Sequence, residues 1–465
     1  MSASGDGAET PRFTTGPTMR HVVIMAAAGT IGLMALFLVD LANLLYISLL
    51  GDPKLTAAVG FATTIIFFFV SLNVGMSIAG TALVSRALGA GDRDKARRLA
   101  GSALTLVILF SGGLSLATLP FSRSLLMLLG ATGETLDIAH GYLIIVLPSS
   151  VLLGMFMALG GIMRAIGDAR RSMFVTLLYG LTTAILDPIF IFTLDMGVTG
   201  AAVVAIIARV ATVAYGLYVV VGVHRLIAAP SLAAVLTDFR PLAGIGGPAV
   251  LTNIATPVGN GYVTSAISEF GDPAVAGWTI VSRLIPVCFA ALFALSGAIG
   301  PILGQNFGAG LFDRVRRVFT DGLLFSMIYL AGISLALFLL RNVIVAAFGV
   351  EGEAAELVLF FCSGMAAVFG MVAVVFVANA AFNNLGYPLL STVFNWGRAT
   401  LGTVPFVMAG AHFGGAKGAI AGFSIGSVPF GIVAVLVCYA VIARMGEPDP
   451  RGSAVTNPPD PPSRS

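Results

Sequence analysis

Charge is what this sequence lacks most. Asp, Glu, Lys and Arg make up only 10% of its 465 residues, against roughly 25% in ordinary globular chains, and the mean hydropathy is +0.98. A soluble enzyme needs a charged surface that this chain does not have, so the solvent around most of it is a lipid bilayer. Lysine is rarer still: Lys54, Lys95 and Lys417 are the whole supply. With no GxxxxGK[ST] run there is no phosphate-cradling loop, which argues against direct ATP hydrolysis by this chain. Cys288, Cys362 and Cys438 lie far apart in apolar runs, with no CxxC pair and no Cys/His cluster at ligand spacing. His21, His140, His224 and His412 form no haem-ligand pair. The net charge of +3 is scattered, which excludes a basic face tracking nucleic-acid phosphates. No catalytic cluster, metal or cofactor is expected, and the chain does not read as an enzyme.

What is present is length in apolar runs. Windows of about 20 apolar residues place spans near 20–49, 55–85, 99–119, 138–160, 172–193 and 200–223, and again near 243–268, 275–304, 319–340, 357–381, 389–411 and 418–443. The run after Arg20 extends for about 30 residues, too long for a cleaved signal peptide, so the first helix is expected to stay in the membrane. Basic residues fall mostly in alternate connectors, among them Arg93, Lys95, Arg97, Arg98, Arg170, Arg171, Arg314, Arg316 and Arg317. By the positive-inside rule both termini are cytoplasmic, in a plasma membrane of the bacterial inner-membrane kind. The expected organisation is a tail over 1–19, a six-helix lobe over 20–223, a cytoplasmic linker over 224–241, a second lobe over 242–443 and a Pro- and Ser-rich disordered tail over 444–465.

The halves repeat. Gly51-Asp52-Pro53 matches Gly271-Asp272-Pro273 at an offset of 220 residues, and Gly89-Ala90-Gly91 matches Gly308-Ala309-Gly310 at 219. The basic segment Asp94, Lys95, Arg97, Arg98 matches Asp313, Arg314, Arg316, Arg317, and Gly167 pairs with Gly386. An even number of spans per half makes both halves enter the membrane in the same direction. The fold class is therefore an all-α polytopic membrane protein with 12 transmembrane helices in two parallel-repeat six-helix bundles, and two such bundles can rock about a central cleft. That is a transporter architecture, and without an ATPase domain it is one driven by an ion gradient.

Coupling to an ion requires an intramembrane group that binds a cation reversibly, and an ionised Asp at a helix centre is disfavoured by roughly 2.5–3.5 kcal/mol on insertion scales. Two acids accept that cost, Asp40 in the first span and Asp187, just before Pro188, in the fifth. The repeat sets Asn260 opposite Asp40, so the fold does not itself demand the acid. Asn43 at i+3 from Asp40 and Thr183 at i−4 from Asp187 share their faces and are expected to be their polar partners. Met34, Phe37, Met157, Tyr179, Asn260 and Tyr262 are candidates for the cleft, with Arg283 and Arg398 as anchors for an anionic group.

Val39-Asp40, Leu83-Val84-Ser85-Arg86 with the following Gly89-Ala90-Gly91-Asp92, and Leu186-Asp187-Pro188 resemble the multidrug and toxic compound extrusion (MATE) family. Gly304-Gln305-Asn306-Phe307-Gly308-Ala309-Gly310 with Arg314 and Arg317 resembles its second-half signature, and the likeness runs from about 20 to 443. The resemblance implies a twelve-helix antiporter, working as a monomer, that expels organic, cationic or amphipathic compounds against inward H+, with Na+ as the alternative ion and Asp40 carrying coupling. It places Thr183 where proton-linked members often have Asn, and Ala205 where they have Thr. In the second half, Thr252, Asn253, Thr256, Asn260, Ser363 and Asn379 stand where Na+-binding members place carboxylates. Coupling through the first lobe is the expectation. The alternative is an exporter of an organic anion or a flippase for a lipid-linked substrate.

Overall fold

The computed structural model describes residues 11–445, and every regular element among them is helical. The expected tail beyond Met445 lies outside the described residues. Nine helical runs are long and apolar enough to cross a bilayer, and Gly133–Val146 with Ser150–Ile166 forms a further span bent by 52°. The run Pro388–Met445 is two spans joined at Gly414 and Gly415, whose backbone leaves the helical region. The helix Leu232–Ser268 supplies the remaining crossing. It is less apolar because Thr252, Asn253, Thr256 and Asn260 face an internal cavity rather than lipid. Twelve spans in two lobes result, as the repeat requires.

The turns that carry the repeat are where the chain needs particular residues. Asp52 caps the second span, its side chain accepting from the Lys54 amide with Pro53 at the first helical position. Asp92 and Asp168 cap the third and fifth spans in the same way, through the Lys95 and Arg171 amides. Gly167 and Gly386 end the fourth and tenth spans at φ of 91° and 97°, a left-handed conformation that favours glycine. The equivalence read from sequence is thus an equivalence of helix ends.

Three boundaries differ from the expected ones. Residues 232–241, assigned to the linker, are the first turns of the seventh helix, which continues through Pro241, Pro248 and Pro257. The fourth span begins at Gly133 and ends at Ile166 rather than covering 138–160, because Pro148 bends it instead of ending it. The eighth breaks at Phe289, between Asp272–Cys288 and Ala290–Gly308. Hydropathy alone registers none of these bends, since the apolar run continues across each.

Large apolar side chains on the outer surface, such as Leu116 at 71% and Leu128 at 82% exposure, are those of a chain whose periphery meets lipid. Inside, one core is built around Val107, Leu159 and Ile162 of the first lobe and takes in Val235, Leu242 and Ile245 from the start of the seventh helix, and another is built around Val281, Phe361 and Phe423 of the second lobe. A further core joins the lobes: Phe13, Val22, Met25 and Ala26 pack with Leu295, Ile299, Phe319 and Phe382 of the second half. The first span, Thr18–Ser48, is an unbroken helix without internal proline. Its first half packs on the second lobe, and Gly29 sets it close against Ala294.

Candidate functional site

Three features occupy the space between and within the lobes. The first is a cavity of about 790 Å³ where the lobes face each other. Its wall takes Leu33 and Leu36 from the first span, Met157 from the fourth, Asn260 from the seventh and Asn379 and Asn383 from the tenth. Aromatic faces come from Phe67, Phe156, Phe293 and Phe376. One charged side chain lines it among the described residues, Arg164 in the last turn of the fourth span.

The second is a polar cluster inside the first lobe. Asp187 is 1% exposed, and Asn43 Nδ2 of the first span donates to its Oδ2 at 2.9 Å. Its other oxygen, Oδ1, is buried with no hydrogen-bond partner. Asp40 lies four residues beyond Leu36 on the first span, is exposed, and is not among the residues lining the cavity. Tyr142 and Tyr179 lie within electrostatic reach of both acids and of Arg209. Arg209 is 5% exposed and donates to Ser149 Oγ and to the Val146 carbonyl. Pro188 cannot donate a backbone hydrogen bond, and the helix passes into a π-helical turn, Ile189–Thr193, directly after it. The cluster and the cavity touch through aromatics, since Tyr179 stacks on Phe156 at 5.9 Å.

The third is a seam that closes the cavity at the basic end of the bundle. Arg86 at the end of the second span donates from Nε to the Asn384 carbonyl and from Nη2 to that of Asn383, both at 2.9 Å. Gln305 at the end of the eighth donates from Nε2 to the Ala165 carbonyl at 2.7 Å. Between them the backbones meet: a Cβ at Gly89 would lie 2.0 Å from the Gln305 carbonyl oxygen, and one at Gly308 2.0 Å from that of Arg86. The segment before the first span adds to the seam. The Phe13 amide donates to Gln305 Oε1, and its carbonyl accepts from Asn306 and Arg314. Next to the seam, outside the spans, Asp168 meets Arg171 Nη1 at 2.8 Å and His224 Nε2 at 2.9 Å. Burial alone would raise the Asp168 carboxyl, but the Arg171 amide, the His224 ring and the Arg171 guanidinium outweigh it and hold it below the usual carboxylate range.

The structure places the residues singled out in the sequence unevenly. Asp40, Asn43, Thr183, Asp187 and Tyr179 come together in the first lobe, but the pairing differs from the expected one. Asn43 serves Asp187 across helices rather than Asp40 on its own, and Thr183 bonds back to the Tyr179 carbonyl at 2.9 Å. Met157 and Asn260 line the cavity. Met34, Phe37, Tyr179 and Tyr262 do not, and Tyr262 packs on the second-lobe core. Arg283 is exposed away from the cavity, and Arg398 is buried behind the wall with Nη2 donating to Thr256 Oγ1 at 3.1 Å. Sequence reasoning gave no role to Arg164 or Arg209 and missed Tyr142 and the Arg86–Gln305 seam. The repeat register held the signal for the seam, since Arg86 and Gln305 are 219 residues apart.

Two repeated six-helix lobes about a central cavity, with a buried acid in one of them, define a membrane transporter. The MatE family model matches residues 30–189 and again 248–408, and the chain belongs to that family. A FAD transporter of Shewanella oneidensis is 26% identical over 438 residues, covering 93% of this chain and 96% of that one. The multidrug export protein MepA of Staphylococcus aureus is 27% identical over 309 residues, 64% of this chain and 66% of that one. The crystal structure of the Vibrio cholerae MATE transporter VcmN superposes with a TM-score of 0.87 at 25% identity, covering 92% of this chain and 97% of that one.

Proposed function

We infer that this protein exports organic compounds through the central cavity in exchange for H+, by alternating access of its two lobes, with both termini and the basic seam on the cytoplasmic side. In this reading the structure is outward-facing, because the seam closes the end that would open to the cytoplasm. The observation that carries it is the reach of the first span. One uninterrupted helix holds Asn43 against Asp187 in the first lobe, lines the cavity through Leu33 and Leu36, and packs on the second lobe through Val22 and Met25.

Proton binding acts on that helix directly. Asn43 donates to an ionised carboxylate, a bond roughly twice as strong as its neutral counterpart. Protonating Asp187 removes the charge-assisted part and loosens the tie between the first and fifth spans. Asp40, three residues before Asn43 on the first span, is the more exposed of the two acids. A helix that also walls the cavity transmits the change to the lobe interface. The names of the relatives, a multidrug exporter and a FAD transporter, support a bulky organic solute as cargo.

The test is flux in proteoliposomes under an imposed pH gradient, then under a Na+ gradient, for the protein and for Asp40→Asn. Proton-driven flux lost in Asp40→Asn is the expected result. Flux driven by Na+ alone, or normal proton-driven flux in the variant, overturns the coupling.

A further inference from the structure

The cavity has a polarity that its volume does not reveal. Among the described residues no carboxylate lines it, so nothing in that wall balances the charge of a cationic ligand. Its single charge among the described residues is the Arg164 guanidinium, held at the seam end of the cavity. Nη1 donates to Ser172 Oγ at 3.3 Å, and Nε is buried without a partner. Among the described residues no carboxylate lies within ion-pair distance of Arg164. A half-buried guanidinium with no counter-charge needs a reason, and the repeat shows that the fold does not need it, since Asn383 stands at the equivalent position of the second half.

Around Arg164 the wall offers carboxamides instead of charge. Asn379, Asn383 and Asn384 of the second lobe line the same cavity as Arg164 of the first. Phe156 and Phe376 supply the apolar faces. A guanidinium fork beside hydrogen-bonding amides and aromatic walls is a recognition surface for a planar organic molecule with a carboxylate or phosphate at one end.

We propose that the cavity binds an organic anion, with its carboxylate or phosphate on Arg164 and its ring system between the aromatic walls. The proposal rests on the export reading for the cavity's role as the transport site, and it selects one of the substrate classes left open by the sequence. Arg164, rather than Arg283 or Arg398, is the anchor.

The experiment compares riboflavin with riboflavin 5′-phosphate, which share a ring system and differ by one phosphate, and ethidium as a planar cation. Equilibrium binding is measured on the purified full-length protein, Arg164→Gln and Arg164→Lys, with thermal unfolding of each to report folding. The expected result is that the phosphate form binds at least about tenfold more tightly than riboflavin, a ratio worth ~1.4 kcal/mol, and that ethidium binds least. Arg164→Gln removes the ratio, and Arg164→Lys restores part of it. Ethidium binding best, no preference for the phosphate form, or a preference that survives in folded Arg164→Gln overturns the proposal. Flux in proteoliposomes separates the two readings. Phosphate-selective, Arg164-dependent binding with no proton-driven flux sinks the export reading and keeps the anion site, whereas proton-driven ethidium flux that ignores Arg164 does the reverse.

Discussion

Arg86 and Gln305 occupy equivalent positions in the two halves, 219 residues apart, and each reaches across to a carbonyl of the opposite lobe. The carbonyls are equivalent as well, since Asn384 and Ala165 stand at the same offset. The seam is therefore a pseudo-symmetric pair of latches with unequal chemistry. One is charged and two-pronged, and the other is a neutral amide.

That inequality sets the first prediction. A hydrogen bond from a charged donor contributes about 1.5–3 kcal/mol and a neutral one about 0.5–1.5. Arg86→Ala should shift the lobes from seam-closed to seam-open more than Gln305→Ala does. Fluorescence energy transfer between dyes on Asp94→Cys and Asp313→Cys, in a background without the native cysteines, reads the change. Equal shifts, or none, would remove the latch role.

The glycines beneath the latches make a steric prediction of a different kind. With a Cβ only 2.0 Å from a facing carbonyl oxygen, Gly89→Ala and Gly308→Ala each prevent the backbones from meeting. Both variants should fold, because the added methyl conflicts with the other lobe rather than with its own. Export should fall about tenfold or more, equivalent to ~1.4 kcal/mol, and the dye pair should report an open seam. Wild-type flux in either variant would show that closure at this point is not needed for transport.

The acid cluster predicts a separation of activities. Asp40→Asn and Asp187→Asn remove the exchangeable charge while keeping shape, so flux driven by a pH gradient should be lost. Exchange of labelled for unlabelled cargo at equal pH should persist, since it needs only the movement of the loaded lobes. Loss of both activities in a variant with unchanged melting temperature would assign the acids to cargo binding instead.

Much of this organisation was legible in the sequence, and the parts that were not share a cause. Hydropathy gave the number of spans, and the glycine register gave the repeat, because both follow from backbone and solvent requirements that act locally. Asp40 and Asp187 stood out because an acid in an apolar run is rare. The Asn43 bond to Asp187 could not be read, since i+3 spacing ties residues on one helix and this bond joins two. Arg164 was hidden by its place in the last turn of a span, where an arginine ordinarily belongs to the basic connectors. Only the packing of the lobes turns it into the cavity.

Outside the membrane, Asp168 carries a pH prediction. Its carboxyl is held below the usual range in the folded protein, so its ionised form contributes stability above the unfolded value of about 3.9. That contribution is lost as pH falls through the folded value. Asp168→Asn keeps an N-cap acceptor for the Arg171 amide but loses the charged bonds to Arg171 and His224. Its thermal unfolding temperature should lie below wild type at pH 6, and the gap should close on acidification below about pH 4. A gap constant down to pH 3 would mean that the charge contributes nothing.

The last prediction concerns Phe13, which is 1% exposed although it precedes the first helix. Its backbone is tied to Gln305, Asn306 and Arg314 of the second lobe. Its ring lies against Gly167 of the first, where an added Cβ would come within 3.1 Å of Cζ. A residue held by both lobes at the seam stabilises the closed arrangement selectively, because opening the seam parts its two sets of neighbours. Phe13→Ala should therefore lose part of the roughly 3–5 kcal/mol typical of a buried Phe, and lose it mainly from the closed state. The dye pair on Asp94→Cys and Asp313→Cys should move toward the open distance. If the melting temperature falls while that distance stays put, Phe13 belongs to the second-lobe core alone and the segment before the first span has no part in closure.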